Sequence, residues 1–103
     1  RQMCIRDSLL LLDEPFSAVD AFTRMRLQDL LLALAAEHGF AVLLVTHDID
    51  EAAYLSDRVL TMGQGEIIED TKVNLPRPRN RHSADLATAR DDILKVLEEI
   101  HAI

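Results

Sequence analysis

The stretch from Leu9 to Asp20, "LLLLDEPFSAVD", sets four leucines directly before Asp13 and Glu14, and a proline directly after them. An apolar run without polar alternation suits a strand covered on both faces, as in the parallel sheet of an α/β protein. Open α/β sheets bind ligands beyond the carboxyl ends of their strands. Asp13 and Glu14 are thus expected where a metal ion or a reacting group can be held, although a solvated strand end would also account for two acids. The residues on either side decide between these readings.

From Asp20 to His38, Phe22, Met25, Leu27, Leu30, Leu31 and Leu34 follow helical spacing, with Asp20 as a cap and Gly39 as a stop. "FAVLLVT", residues 40 to 46, reads as a second buried strand. Strand, helix and strand in that order make a right-handed crossover unit, and its parallel strands bring Glu14 and His47 to one edge. Asp48 can cap a short helix through "IDEAAYLSD", with Ile49, Ala52, Ala53 and Leu55 on its apolar side. "RVLTM" and "EIIE" flank Gly63-Gln64-Gly65, a hairpin in which the two glycines supply the turn. No third glycine and no helix follow, so this pair reads as a turn rather than a phosphate loop. In "NLPRPRNRH", Pro76 and Pro78 interrupt regular structure, and Arg77, Arg79 and Arg81 alternate along a linker with a basic side. Leu86, Ala89, Ile93, Val96, Leu97 and Ile100 then recur at helical intervals from Ala84 to Ile100, predicting a terminal helix whose acids face water.

The 103 residues suffice for one small domain or part of one. Hydrophobic residues make up 49% and charged residues 28%, an ordinary globular composition. No apolar run approaches the roughly 20 residues of a membrane-spanning helix. With 18 acidic against 11 basic side chains, the net charge of -7 repels a phosphate backbone, so no nucleic-acid partner is expected. Cys4 is the only cysteine, which leaves no internal disulfide or cysteine-based zinc site and fits a reducing, cytoplasmic setting.

"LLLLDE" resembles the Walker B strand of ATP-binding cassette (ABC) ATPases, "SAVD" (Ser17 to Asp20) resembles their D-loop, and "VTHD" resembles the strand end that carries their histidine. "DEP" alone is common; the ordered set on matching elements is specific. The resemblance implies an α/β fold: the C-terminal part of a P-loop NTPase (RecA-like) ABC ATPase core, with parallel strands and a crossover helix, then a β-hairpin and a terminal helix. It implies ATP and Mg2+ as cofactors. Asp13 would hold magnesium, generally through water, Glu14 would act as general base on the attacking water, and His47 would contact the γ-phosphate. Ser17, Ala18, Val19 and Asp20 would lie along the seam with a second ATPase subunit in a head-to-tail dimer, Asp20 contacting the facing subunit.

"HDIDEAAYLSDRVLTM" followed by "LPRPR" is similar to the importer branch for nitrate, sulfonates, taurine and related small solutes. In that branch a cassette pair drives a transmembrane permease fed indirectly by an external solute-binding protein. The resemblance therefore implies a peripheral subunit on the cytoplasmic face of the inner membrane. It covers about residues 9 to 82 well and the terminal helix loosely.

The family's glycine-rich phosphate loop, glutamine loop and Leu-Ser-Gly-Gly-Gln signature have no counterpart here, and no Gly-Lys pair occurs. The expectation is a C-terminal piece, inactive alone, with strand edges and apolar surface exposed. Its divisions are a non-matching junction at 1–8 ("RQMCIRDS"), a partial ATPase domain at 9–71, a Pro/Arg linker at 72–83 and a C-terminal helix at 84–103. Two rival functions keep the same marks. One is an ABC-type ATPase of DNA repair or chromosome organisation, disfavoured by the acidity. The other is a non-enzymatic partner-binding module, which magnesium-dependent nucleotide binding would distinguish from an enzyme.

Overall fold

In the computed structural model, which describes residues 8–101, two strands pair in parallel: β1 (Leu9–Asp13) and β2 (Ala41–Val45), in register from Leu9 opposite Ala41 to Asp13 opposite Val45. Parallel neighbours need a long connection, and α1 (Ala21–His38) provides it. Its ends are those read from the sequence. The Asp20 carboxylate accepts the Thr23 N–H at 2.7 Å, while Gly39, at φ 71°, donates its N–H to the Ala35 carbonyl at 2.8 Å. A left-handed residue in that position favours glycine because any side chain would be strained.

Burial in this unit differs from the expectation. Leu9, Leu11, Leu43 and Val45, which share one face of the ladder, are 48–66% exposed. On α1, Phe22, Met25, Leu30 and Leu34 are exposed too, while Phe16 and Gln28 are buried. A strand read as covered on both faces is thus open on one of them and only partly covered on the other, where Leu10 is 38% exposed. Two strands and one helix offer too little surface to cover both sides of a sheet. The exposed apolar surface anticipated from the sequence is present.

The chain divides into two units between His47 and Asp48. The second begins with α2 (Ile49–Leu55), capped by the Asp48 carboxylate accepting the Glu51 N–H at 3.2 Å. Strands β3 (Arg58–Gly63) and β4 (Glu66–Lys72) then pair antiparallel, with an irregularity between Thr61 and Met62. The hairpin is as predicted, but its turn is made by Gln64 (φ 53°) and Gly65 (φ 80°) rather than by the two glycines. Two positive φ angles give the strand-matching twist of a two-residue hairpin. Gly63 is tightly packed instead: a Cβ there would stand 3.1 Å from Ile100 Cγ2 and 3.2 Å from Ile68 Cγ1, so a side chain would require these neighbours to shift. Finally α3 (Ala84–Ile100) starts on Ser83, whose hydroxyl accepts the Leu86 N–H at 3.1 Å. Ala53, Tyr54, Leu55, Val73, Leu86 and Ile93 form the buried apolar set.

The Pro/Arg segment is irregular in backbone, as its prolines require, yet its arginines do not simply face water. The Arg79 side chain is 3% exposed. Its Nη1 donates to the carbonyls of Ala53, Tyr54 and Ser56 at 3.1, 3.3 and 2.6 Å, its Nη2 to Val73 and Leu75 at 3.2 and 3.1 Å, and its Nε to Leu75 at 3.2 Å. Arg77 adds a bond to the Leu55 carbonyl at 2.6 Å, and the Arg81 guanidinium lies 3.9 Å from the centre of the Tyr54 ring. The last carbonyls of a helix lack partners within it, and a cation there also complements the helix dipole. Arginine suits the position because its planar fork can serve several acceptors at once. Burial, with Arg77 nearby, lowers the Arg79 pKa from its ordinary value.

Arg79→Ala is expected to lower unfolding stability by about 2–4 kcal/mol, because it strands buried carbonyls that only this side chain satisfies together. Arg79→Lys should recover little, since an ammonium cannot reach both sets. Urea titration of the three proteins measures this; a change within about half a kcal/mol, the range of surface substitutions, would show the clamp to be dispensable.

Candidate functional site

The carboxyl ends of β1 and β2 carry Asp13, Glu14 and His47. One rung beyond the strand, the Glu14 N–H donates to the Val45 carbonyl at 2.7 Å. The backbone then turns sharply, with Glu14 at φ 46°. A left-handed non-glycine residue costs about 1–2 kcal/mol, and a following proline restricts the backbone of Glu14 further. The turn is held by Ser17, whose hydroxyl and N–H both donate to the Glu14 carbonyl, at 3.1 and 3.4 Å. Strain of this kind persists where surrounding bonds over-determine it, and it gathers at working sites.

This turn brings the Glu14 Oε1 to 3.5 Å from the His47 Nε2, as the parallel pairing predicts. The imidazole is 87% exposed and the carboxylate 37%, so water screens the pair and it adds little to stability. What it offers is access: a carboxylate that can accept a proton and an imidazole that can donate one, side by side at a strand edge. Asp13, at the end of β1, is exposed. Asp13 ends the regular strand while Glu14 lies beyond it in the left-handed turn, so the two acids stand on differently oriented backbone.

Between Glu14 and α1 the loop places Ser17 and Ala18 in solvent, Val19 half-buried and Phe16 buried. Asp20 is exposed, but its carboxylate is engaged as the cap of α1. That bond from Thr23, with Arg24 adding attraction, holds Asp20 below the usual carboxylate range. Sequence reasoning missed Arg24. Its Nε donates to the Phe16 carbonyl at 3.2 Å and its Nη2 to that of Val19 at 3.0 Å. The available signal was a cation in the first turn of a helix, where the dipole disfavours one.

Among the described residues no group of three or more His, Cys, Asp or Glu side chains could by itself hold a metal ion. Magnesium needs no such group. It commonly takes one or two protein carboxylates and completes its octahedron with waters and substrate phosphates, a donor set that an exposed Asp13 suits. Among the same residues no helix is long and apolar enough to cross a membrane.

The chain is 64% identical over 97 residues to "Aliphatic sulfonates import ATP-binding protein SsuB 1" of Xanthomonas axonopodis pv. citri, covering 90% of this chain and 38% of that protein. Identity to the protein of the same name from Pseudomonas syringae pv. syringae is 58% over 98 residues, 93% of this chain and 41% of that one. For "Aliphatic sulfonates import ATP-binding protein SsuB" of Escherichia coli O1:K1 it is 48% over 103 residues, 99% of this chain and 40% of that one. The chain thus spans about two fifths of the length of these curated relatives. No protein-family model matches it. The resemblance to ABC ATP-binding proteins, and to their sulfonate-importing branch, is borne out by these identities.

The cap at Asp20 is expected to make helix α1 acid-sensitive. Because the folded-state pKa is depressed, its contribution is complete above the ordinary carboxylate pKa of about 3.9 and is lost as pH falls through the lower folded value. Circular dichroism during acid titration should show Asp20→Asn, which keeps a capping oxygen without a titrating charge, unfolding with a shallower pH dependence. An identical acid profile for the two proteins would remove Asp20 from this role.

Proposed function

We propose that this chain is part of the ATP-binding, ATP-hydrolysing subunit of an ABC importer for small anions, with aliphatic sulfonates foremost and nitrate and taurine in the wider branch. The observation that supports it most is the 3.5 Å approach of Glu14 and His47 at one parallel-strand edge, in a chain 48–64% identical to sulfonate-import ATP-binding proteins. On this reading the fold is the C-terminal part of a P-loop NTPase core.

Phosphoryl transfer to water is mainly a matter of positioning and charge stabilisation. Magnesium, when bound with ATP, neutralises charge developing on the phosphates, and Asp13 would hold it through water. Glu14 accepts a proton from the attacking water as general base, its carboxylate standing beside His47. His47 orients the terminal phosphate by hydrogen bonding and borders the same water. Ser17, Ala18, Val19 and Asp20 form the seam with a second ATPase subunit, so closure of the pair couples nucleotide to motion. That motion is delivered to a transmembrane permease supplied by a solute-binding protein, with this subunit peripheral on the cytoplasmic face of the inner membrane. Nucleic acid has no part in it, in keeping with the net charge of -7.

In the complete subunit, Glu14→Gln should reduce turnover about 10²–10⁴-fold, the usual worth of a positioned general base, while ATP binding is retained. Steady-state phosphate release and nucleotide titration measure the two; near-normal hydrolysis would take Glu14 out of the reaction. The 103-residue chain alone is expected neither to bind ATP tightly nor to hydrolyse it. It has no glycine-rich loop or lysine to concentrate donors on the phosphates, and Asp13 and Glu14 repel them. Calorimetry with Mg-ATP on monodisperse chain tests this, micromolar binding being the contrary result.

A further inference from the structure

Arg24 lies in the first turn of α1, an electrostatically poor place for a cation. Its own N–H donates to the Asp20 carbonyl at 2.9 Å, which ties its backbone to the end of the loop. From there the side chain turns back rather than outward. Nε and Nη2 reach the carbonyls of Phe16 and Val19 separately, at 3.2 and 3.0 Å. The direct backbone bond across the same loop, from the Val19 N–H to the Phe16 carbonyl, is stretched to 3.5 Å and contributes little. Phe16 is buried and so anchors one of the two carbonyls.

We infer that Arg24 is a positioning residue whose guanidinium spans the loop from Phe16 to Val19 and thereby sets the offset between Glu14 at one end and Asp20 at the other. The reaction role of this loop rests on the ATPase reading above; the loop-bracing role does not. The bridge needs two N–H groups in a fixed plane, aimed at two carbonyls that the loop itself barely connects. A guanidinium has them, whereas an ammonium on a flexible stem is a single point of donation. Without the bridge, Glu14 keeps its rung to Val45 and its bonds from Ser17, so the acid stays near His47. What is freed is the stretch of Ala18 and Val19 ahead of the capping Asp20, which lies in the segment assigned to the seam with the second subunit. Loss of Arg24 should therefore impair pairing and turnover more than nucleotide binding.

The test uses the complete subunit, as wild type, Arg24→Ala and Arg24→Lys, with thermal melting to compare their folding. Hydrogen exchange of the peptide covering residues 15–20 should speed up at least tenfold in both variants. ATP affinity should change less than twofold. Turnover, and the dimerisation that ATP induces in a Glu14→Gln background, should each fall about tenfold, with Arg24→Lys restoring melting temperature but neither of these. Unchanged exchange in the loop overturns the inference, as does recovery of turnover and pairing in Arg24→Lys, which would mean that only a positive charge on the helix is needed. Should wild type lack ATPase activity while exchange still rises in both variants, the ATPase reading fails and the brace by Arg24 stands.

Discussion

The parallel ladder between β1 and β2 is the constraint from which the first unit follows. Its register sets Asp13 opposite Val45, and the next rung, from the Glu14 N–H to the Val45 carbonyl, holds the chain to the sheet at the residue where it must turn. Were the pairing to slip by one residue, every side chain would change face and Glu14 would no longer approach His47. The strained backbone of Glu14 is tolerable because it is fastened on both sides: by the ladder before it and by Ser17 after it. A strong backbone interaction thus supports a weak side-chain one. The Glu14–His47 pair, exposed to water, could not have placed itself.

In the second unit the corresponding part is played by a buried charge. Arg79 is surrounded by five carbonyl oxygens from α2, from its C-cap Ser56 and from the segment after β4. A guanidinium withdrawn from water is costly unless its donors are satisfied, and carbonyls at a helix end are costly unless they find donors. Each deficit answers the other. Arg77 and Arg81 extend the arrangement to the Leu55 carbonyl and the Tyr54 ring. The segment is not extended throughout: its backbone bends at Arg77 and Pro78.

The exposed leucines of the first unit make sense beside the length comparison. A two-stranded parallel ladder with a single helix cannot bury an apolar run on both faces, and Leu9, Leu11, Leu43 and Val45 lie on the open one. Apolar patches of that kind ordinarily meet another surface. The curated relatives are about two and a half times as long as the matched region, since it covers 38–41% of them. The leucine run therefore reads as sequence adapted to more surface than residues 8–101 provide.

Elements governed by local rules were legible in the sequence. Helix α1 is capped by Asp20 and stopped by Gly39, α2 is capped by Asp48, and α3 runs from Ala84 to Ile100, because caps, turns and the 3.6-residue period are properties of a few neighbouring residues. The parallel edge that joins Glu14 to His47 was legible too, since a strand, a helix and a strand leave few other ways to pair. Local rules could not say which of the glycines in Gly63-Gln64-Gly65 makes the turn, for Gly63 answers to Ile100, 37 positions away in sequence. Nor could they find the work of Arg24 and Arg79, whose partners are backbone carbonyls. Every residue carries such a carbonyl, so no residue type announces one. The sequence by itself determined the elements, their order and the acids at the strand end; tertiary structure alone decided which carbonyls lacked donors and which arginines came within reach, because those distances exist only once the chain has folded.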